Sequence, residues 1–213
     1  MRLARLTAVG AAAAGLALIA APANAFTVSN SGGSNSITGT AKGNTTLTAN
    51  GQVLTCQTSS VSGTVNPGSS NPIGNITSAS WNTCDWNGYP ATVTVTNPNW
   101  SLNYDAASGT ATSAANDNAV AGTITNISNV LVSIQGPNGT CTFNVSGSVN
   151  ATFDEDNGKG GQEITVLSTG SGLTVSNRQT FITCAGLVNN GNTATFSGSY
   201  NLNTTAGQIN VQP

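Results

Sequence analysis

The chain has 213 residues, of which only 6% are charged, and it contains five basic side chains, seven acidic ones and no histidine. So few cations cannot neutralise a phosphate backbone, which excludes a nucleic-acid partner, and the lack of histidine excludes Ser-His and Cys-His nucleophiles. A hydrophobic content of 38% with a low net charge is typical of a folded chain rather than a disordered one.

Residues 1–25 have the pattern of a cleaved signal peptide. Two arginines precede an uncharged stretch from Leu6 to Ala21, and small residues at Ala23 and Ala25 mark a cleavage point before Phe26. The apolar stretch is shorter than the roughly 20 residues that span a bilayer, so no membrane insertion is expected. The sequence therefore predicts export to the cell surface or the extracellular medium.

The mature product, residues 26–213, is predicted to be a single secreted domain. It keeps three cations against seven carboxylates, a net charge of −4, and its polar surface comes from Ser, Thr, Asn and Gly. Residues 26–51 contain few large side chains, and we expect this segment to be a mobile arm or an edge strand.

Four cysteines, Cys56, Cys84, Cys141 and Cys184, are predicted to form two disulfides. An even number of cysteines in an exported chain is typical of disulfides, and zinc is not favoured because no C-x-x-C pair and no histidine occur. Three connectivities are open. Sequential pairing closes the shortest loops, which favours Cys56 with Cys84 and Cys141 with Cys184.

Strict alternation of apolar and polar residues predicts β-strands along most of the mature chain. The clearest case has seven inward positions, either in one strand or in two strands with a bend at Gly147: Cys141, Phe143, Val145, Gly147, Val149, Ala151 and Phe153. The same alternation recurs around Val93, from Trp100 to Tyr104, and from Ala194 to Leu202.

Turn signals separate these stretches, including the Asn-Gly pairs at Asn50-Gly51, Asn87-Gly88 and Asn190-Gly191. Roughly ten to thirteen short strands at this spacing, without helical patterns between them, predict an all-β fold. The fold class is therefore an antiparallel β-sandwich or barrel that is stapled by disulfides.

Five aromatic residues cluster between positions 81 and 104 and include all three tryptophans. Trp100 and Tyr104 share one face of an alternating strand, so we expect them in the core. Trp86 and Tyr89 flank the Asn87-Gly88 turn, and we expect them to be exposed and to contact a ligand such as a sugar ring or an apolar molecule.

Four of the seven carboxylates lie between positions 154 and 163. Asp154, Asp156 and Glu163 could bind calcium, with Asn157 assisting, because carboxylate and amide oxygens are its usual ligands. Gly158 stands where the third ligand of a standard calcium loop should be. The alternative, which we favour, is a solvated turn between a strand ending at Phe153 and one beginning near Ile164, with no cofactor.

The order of several motifs resembles a group of uncharacterised small secreted actinobacterial β-sandwich proteins. These motifs are Thr55-Cys56, Cys84, the stretch from Pro98 to Asn103, Cys141, and the stretch from Cys184 to Tyr200. The chain is more distantly similar to secreted alkane-oxidation-activator proteins, with Asn99 interrupting their Pro-Trp step. The resemblance implies an extracellular β-sandwich and carries over no catalytic residue.

The sequence favours a non-enzymatic structural or adhesive protein that associates through sheet edges, either with copies of itself or with a polysaccharide of the cell envelope. The alternative is a carbohydrate- or apolar-ligand-binding module that uses the aromatic cluster. An enzyme with a carboxylate pair is the least favoured reading, because nothing in the sequence places two acids across a cleft.

Overall fold

The computed structural model describes residues 27–30, 35–68, 71–104, 119–137, 139–154, 161–179, 184, 187–204 and 209–212, with the backbone alone for 27–30 and 210–212. The predicted signal peptide, residues 1–25, lies outside this part of the chain. Thirteen strands and no helix occur in the described residues, which confirms the all-β, antiparallel prediction.

The strands follow one another along the chain. Their bounds are β1 Thr27–Asn30, β2 Ser36–Ala41, β3 Thr45–Ala49, β4 Gln52–Val65, β5 Gly74–Trp86, β6 Tyr89–Val95, β7 Trp100–Tyr104, β8 Val120–Gly136, β9 Gly139–Asp154, β10 Gln162–Leu167, β11 Leu173–Ser176, β12 Thr193–Thr204 and β13 Ile209–Gln212. Within the described ranges, no helix is long and apolar enough to cross a membrane.

Five long strands, β4, β5, β8, β9 and β12, form the frame of the sheet. Three pairs of short strands lie between them, each pair end to end: β2 and β3 both pair with β12 and β4, β6 and β7 with β5 and β8, and β10 and β11 with β9 and β12. Each pair of short strands therefore occupies one strand position.

These pairings close the sheet into an eight-position barrel. The positions follow the chain order, each antiparallel to the next, and the last position, β12, pairs with the first, β2 and β3. This arrangement is an up-and-down barrel, the closed form of an antiparallel sheet. Of the two predicted architectures, the pairings select the barrel. Strands β1 and β13 form a separate two-stranded ribbon.

The N-terminal segment contributes three strands. β1 pairs with β13, whereas β2 and β3 are paired on both sides within the barrel. A free arm or an edge strand would lack a partner on at least one side. The prediction for residues 26–51 is therefore wrong for β2 and β3.

The predicted alternation is confirmed in the long strands. In β9, which runs unbroken from Gly139 to Asp154, Cys141, Phe143 and Val145 are at most 2% exposed, as is Val149. Gly147, with φ of 137°, lies where the register of β9 against β8 shifts. The expected bend at Gly147 is thus a register shift inside one strand, and glycine is the residue that tolerates this φ.

The two ends of the barrel are built differently. Tight turns close one end, which we call the hairpin end: Asn50 and Gly51, and likewise Asn87 and Gly88, all have positive φ, as two-residue hairpins of the predicted kind require. The long connection from β11 to β12 also lies at this end, whereas the other end, which we call the loop end, carries the connections after β4, β7 and β9. Residues 105–118 and 155–160 of these connections lie outside the described residues.

Two disulfides stabilise the barrel, and both have the predicted pairing. Cys56 and Cys84 are direct partners on β4 and β5. Cys141 on β9 binds Cys184, which lies in the connection from β11 to β12. Cys184 and Val188 of this connection are fully buried. This second disulfide therefore holds the connection inside the hairpin end.

Arg178 reinforces the same connection. Its Nη1 donates hydrogen bonds to the carbonyl oxygens of Cys184 and Val188, both at 3.2 Å, and its backbone N–H donates to Oδ1 of Asn190 at 2.8 Å. Buried carbonyl groups need such partners because an unpaired one is costly. One of the five cations of the chain thus serves the packing of the hairpin end.

We expect that replacing Cys141 and Cys184 together with alanine lowers the free energy of unfolding by about 4 kcal/mol, since the bond closes a 43-residue separation. The Cys56→Ala, Cys84→Ala variant, with a 28-residue separation, should lose about 3.5 kcal/mol. Equilibrium unfolding in guanidinium chloride measures both. An unchanged denaturation midpoint in the first variant would contradict the anchoring role of Cys184.

Candidate functional site

The two aromatic residues predicted to be exposed have different environments. Tyr89, at the start of β6, is 42% exposed, whereas Trp86 is fully buried and packs edge-on against Phe143 with ring centroids 5.6 Å apart. The expected exposure of Trp86 is wrong. Strand β5 continues to Trp86, two residues after the inward Cys84, so the same alternation directs Trp86 into the core. Trp100 and Tyr104 are buried, as expected.

The acidic segment lies between two paired strands, β9 and β10, and its residues 155–160, where the turn was predicted, lie outside the described residues. Asp154 at the end of β9 and Glu163 in β10 are direct partners, while Asp156 and Asn157 lie outside the described residues. Among the residues that the structure describes, no group of three or more Cys, Asp or Glu side chains could hold a metal ion. Calcium binding by Asp154, Asp156 and Glu163 stays a prediction.

Glu163 is engaged by neighbouring side chains. The Nζ of Lys42 lies 2.6 Å from Oε2, and the Thr165 hydroxyl donates to Oε1 at 3.1 Å. Burial by itself would raise the pKa of Glu163, but these hydrogen bonds and the charge of Lys42 hold the pKa below its ordinary value. Both carboxylate oxygens therefore have partners within the barrel surface.

The interior of the barrel contains a cavity of about 80 Å³, which we call the main chamber. It lies at mid-height, between the packed hairpin end and the loop end. Almost all of its wall is apolar, and two of the three tryptophans are part of it. The lining side chains include Leu47, Leu54, Cys56, Val61, Ile76, Trp81, Trp100, Ile124, Val166, Phe196 and Tyr200.

A second cavity of about 60 Å³, the side chamber, lies nearer the loop end. Its lining side chains include Ile37, Val65, Ile73, Leu102, Tyr104, Val120, Phe153 and Ile209. Four side chains line both chambers and separate them: Val61, Ile76, Ile124 and Ile164. The two chambers are therefore adjacent and share this layer of side chains.

Two amide side chains hold the chain around the side chamber. Gln162, which is 5% exposed, donates to the carbonyl oxygen of Ile209 at 2.6 Å and accepts from its N–H at 3.2 Å. Asn71 makes the same pair of hydrogen bonds with the backbone of Tyr104, at 3.2 and 3.1 Å. These two pairs of hydrogen bonds hold the buried side chains of Ile209 and Tyr104 at the loop end.

Empty apolar space of this size is energetically unfavourable. Protein interiors are close-packed, and the loss of stability grows by roughly 24 cal/mol per Å³ of cavity. The main chamber alone then costs about 2 kcal/mol for its 80 Å³. The chambers are thus a costly feature of a core that is otherwise densely packed around Trp86 and Phe143.

Three polar side chains line the main chamber, Thr45, Trp81 and Tyr200, and a fourth, Ser59, is hydrogen-bonded to Tyr200; the four come from four different strands. We call them the polar cluster. Ser59 donates a hydrogen bond to the Tyr200 oxygen at 2.7 Å, and both residues are 3% exposed. Thr45 Oγ1 and Trp81 Nε1 are buried without a hydrogen-bond partner in the described chain.

Burial raises the pKa of Tyr200 to about 12. The hydrogen bond that Ser59 donates to the phenol oxygen acts against burial and lowers the pKa. The indole N–H of Trp81 approaches the same oxygen and also favours the ionised form, without reaching the geometry of a full hydrogen bond. Burial outweighs both effects, so Tyr200 stays a neutral phenol throughout the physiological range.

The aromatic cluster in the sequence included Trp81 and Trp100, but sequence reasoning did not identify them as lining one chamber. Trp81 packs against Trp100, with ring centroids 6.3 Å apart, and against Phe196 at 6.0 Å. The alternation from Ala194 to Leu202 was a signal for an inward Phe196 and Tyr200. No local pattern indicated Thr45 or Ser59.

We expect the free energy of unfolding to fall by about 2 to 3 kcal/mol between pH 10 and 12, because the tyrosine ionises near pH 10 when unfolded and near 12 when folded. A raised folded pKa means that this contribution is complete below pH 10 and is lost as the pH rises. In the Tyr200→Phe variant, this part of the decrease should be missing. Identical pH profiles in chemical unfolding would contradict the burial of the phenol.

The chain matches no protein-family model, no curated protein and no solved structure. The chambers, the polar cluster and the disulfides are therefore the features of this chain that bear on its function.

Proposed function

We propose that this protein is an extracellular, non-enzymatic binding protein that holds a small apolar molecule inside its barrel. The observation that carries the proposal is the main chamber, an apolar space of about 80 Å³ between Trp81, Trp100 and Ile124. Binding sites for small molecules are concave and mostly apolar, with a few polar groups that orient the ligand. A ligand would also restore the dispersion contacts that the empty chamber lacks.

The size of the chambers limits the ligand. An engineered cavity of about 150 Å³ binds benzene or xenon. The main chamber, at about 80 Å³, and the side chamber, at about 60 Å³, reach this size only when they are joined. The ligand class is therefore a molecule of about six non-hydrogen atoms rather than a long acyl chain.

Export is part of the same proposal. Two disulfides are consistent with an oxidising compartment, and residues 1–25 have the signal-peptide pattern described above. With the signal peptide removed, the protein acts outside the producing cell or at its surface. The distant resemblance to secreted alkane-oxidation-activator proteins stays a prediction.

Association through sheet edges is less favoured by the geometry. The barrel has no free edges, since its long strands are paired on both sides and short strands fill three positions; strands with one partner occur in the described chain only in the short β1–β13 ribbon. A sugar-stacking surface is also less favoured, because Trp86 is buried and the only exposed large hydrophobic residues in the described chain are Tyr89 and Leu131. An enclosed apolar ligand fits these observations best.

We expect toluene to change the tryptophan fluorescence of the purified, oxidised protein in a saturable way, because Trp81 and Trp100 line the main chamber. Excitation at the red edge of the tryptophan band avoids absorption by toluene. Val166→Phe, which adds four carbon atoms at a buried chamber position, should weaken binding at least tenfold. Val166→Ile adds one methylene group and should cause a smaller loss.

Leu131→Phe is the matched control, since Leu131 is 41% exposed and lines neither chamber. It should bind toluene as the unaltered protein does. Circular dichroism establishes that each variant is folded. No fluorescence response from the unaltered protein, or equal affinity in folded Val166→Phe and Val166→Ile, would exclude the main chamber as the binding site.

A further inference from the structure

The polar cluster gives the proposed binding site a chemical preference, and this inference rests on the proposed function. In an apolar ligand site, a few polar groups determine which molecules bind and in which orientation. Here Thr45, Trp81 and Tyr200 all line the main chamber. These three residues come from β3, β5 and β12, which are distant along the chain.

Two hydrogen-bonding groups of this cluster lack a full hydrogen bond in the described chain. Thr45 is 1% exposed and its Oγ1 has no partner, and the buried Nε1 of Trp81 makes only the incomplete contact with the Tyr200 oxygen described above. Buried polar groups are almost always hydrogen-bonded, and each exception calls for an explanation. A ligand that brings its own oxygen atom would supply the missing partner.

The packing around Thr45 fixes its position. The Cγ2 atom of Thr45 would lie 2.7 Å from a Cβ atom added at Gly198, so the threonine fills the space that glycine leaves open. The same added Cβ would lie 3.5 Å from a ring carbon of Tyr200. Thr45 and the Tyr200 ring therefore adjoin the same small patch of β12.

The polar cluster contains more hydrogen-bond donors than acceptors that are within their reach. Trp81 Nε1 is a donor only, and the Thr45 hydroxyl can donate as well as accept. Ser59 donates to the Tyr200 oxygen, which leaves the proton of the phenol for another acceptor. An incoming oxygen with two lone pairs would match this excess of donors.

The side chains that line the main chamber determine which charge a ligand can carry. Apart from Tyr200, which burial keeps neutral, none of the described lining residues of the main chamber ionises, since Cys56 is disulfide-bonded. Burying an unpaired carboxylate or ammonium group there would be strongly unfavourable. A charged amphiphile such as a fatty acid is therefore excluded from this chamber.

We infer that the main chamber selects a small neutral molecule with an apolar body and a single alcohol or carbonyl oxygen, and that Thr45 and Trp81 bind this oxygen. The oxygen of the ligand would lie at the polar cluster, and its apolar body would contact Trp100 and extend past Ile124, which lines both chambers, into the joined space. This assignment distinguishes the site from a chamber that takes hydrocarbons alone.

The test compares 1-pentanol with n-hexane, two linear molecules of six non-hydrogen atoms. Their dissociation constants are measured by tryptophan fluorescence on the unaltered oxidised protein and on Thr45→Val, which removes the hydroxyl and keeps the shape. We expect Thr45→Val to bind 1-pentanol about tenfold more weakly, the effect of losing one hydrogen bond of about 1.4 kcal/mol, and to bind n-hexane unchanged.

Thr46→Val is the matched control. Thr46 is the next residue of the same strand, and its hydroxyl bonds that of Ser197 at 2.8 Å instead of lining the chamber. It should leave both affinities unchanged. Tyr200→Phe provides a second variant of the cluster, with the same expected loss for 1-pentanol, if Thr45→Val does not fold.

The outcomes separate this inference from the proposed function. If the unaltered protein binds n-hexane, and folded Thr45→Val binds 1-pentanol with unchanged affinity, the polar cluster does not select the ligand although the chamber still binds it. If both affinities fall together in Thr45→Val, the substitution acts on the chamber shape and the inference is wrong. If the unaltered protein binds neither molecule, both proposals fail.

Discussion

Closure of the antiparallel sheet constrains the rest of this structure. Each long strand must find a partner on both edges, and three strand positions are completed only because pairs of short strands, such as β2 and β3, lie end to end. Eight positions leave an interior just wide enough for side chains to fill or for one small ligand. The sizes of the inward side chains therefore decide whether the interior is fully packed or contains a cavity.

The two ends of the barrel differ in how completely their inward side chains fill the interior. At the hairpin end, Trp86, Phe143 and Val188 are fully buried, and the Cys141–Cys184 disulfide holds the connection from β11 to β12 within the core. Toward mid-height and the loop end the inward residues are mostly Val, Ile and Leu, and the two chambers remain between them. The dense packing and the disulfide of the hairpin end offset the energetic cost of the unfilled space.

Much of the fold could be predicted from the sequence, because alternation and turn chemistry are local signals. The strands around Val93, from Trp100 to Tyr104, and from Ala194 to Leu202 were predicted, as were both disulfides. Closure of the sheet could not be predicted, since it depends on pairing between β12 and strands more than 140 residues earlier.

The chamber was missed for a related reason. In β5, Trp81 is directed inward and so is Cys84, three residues later, because Thr83 has a positive φ of 50° and shifts the alternation by one residue. A simple period of two from Cys84 would place Trp81 on the outer face. The polar cluster likewise joins residues of four strands, whose proximity no local pattern could show.

The most direct test of the central claim is a crystal structure of the oxidised protein under xenon pressure. Xenon occupies apolar cavities of this kind without needing a polar contact. We predict xenon in the main chamber, beside Trp81, Trp100 and Ile124. An interior filled by the side chains of Val61, Ile76 and Ile164, with no xenon inside the barrel, would contradict the account.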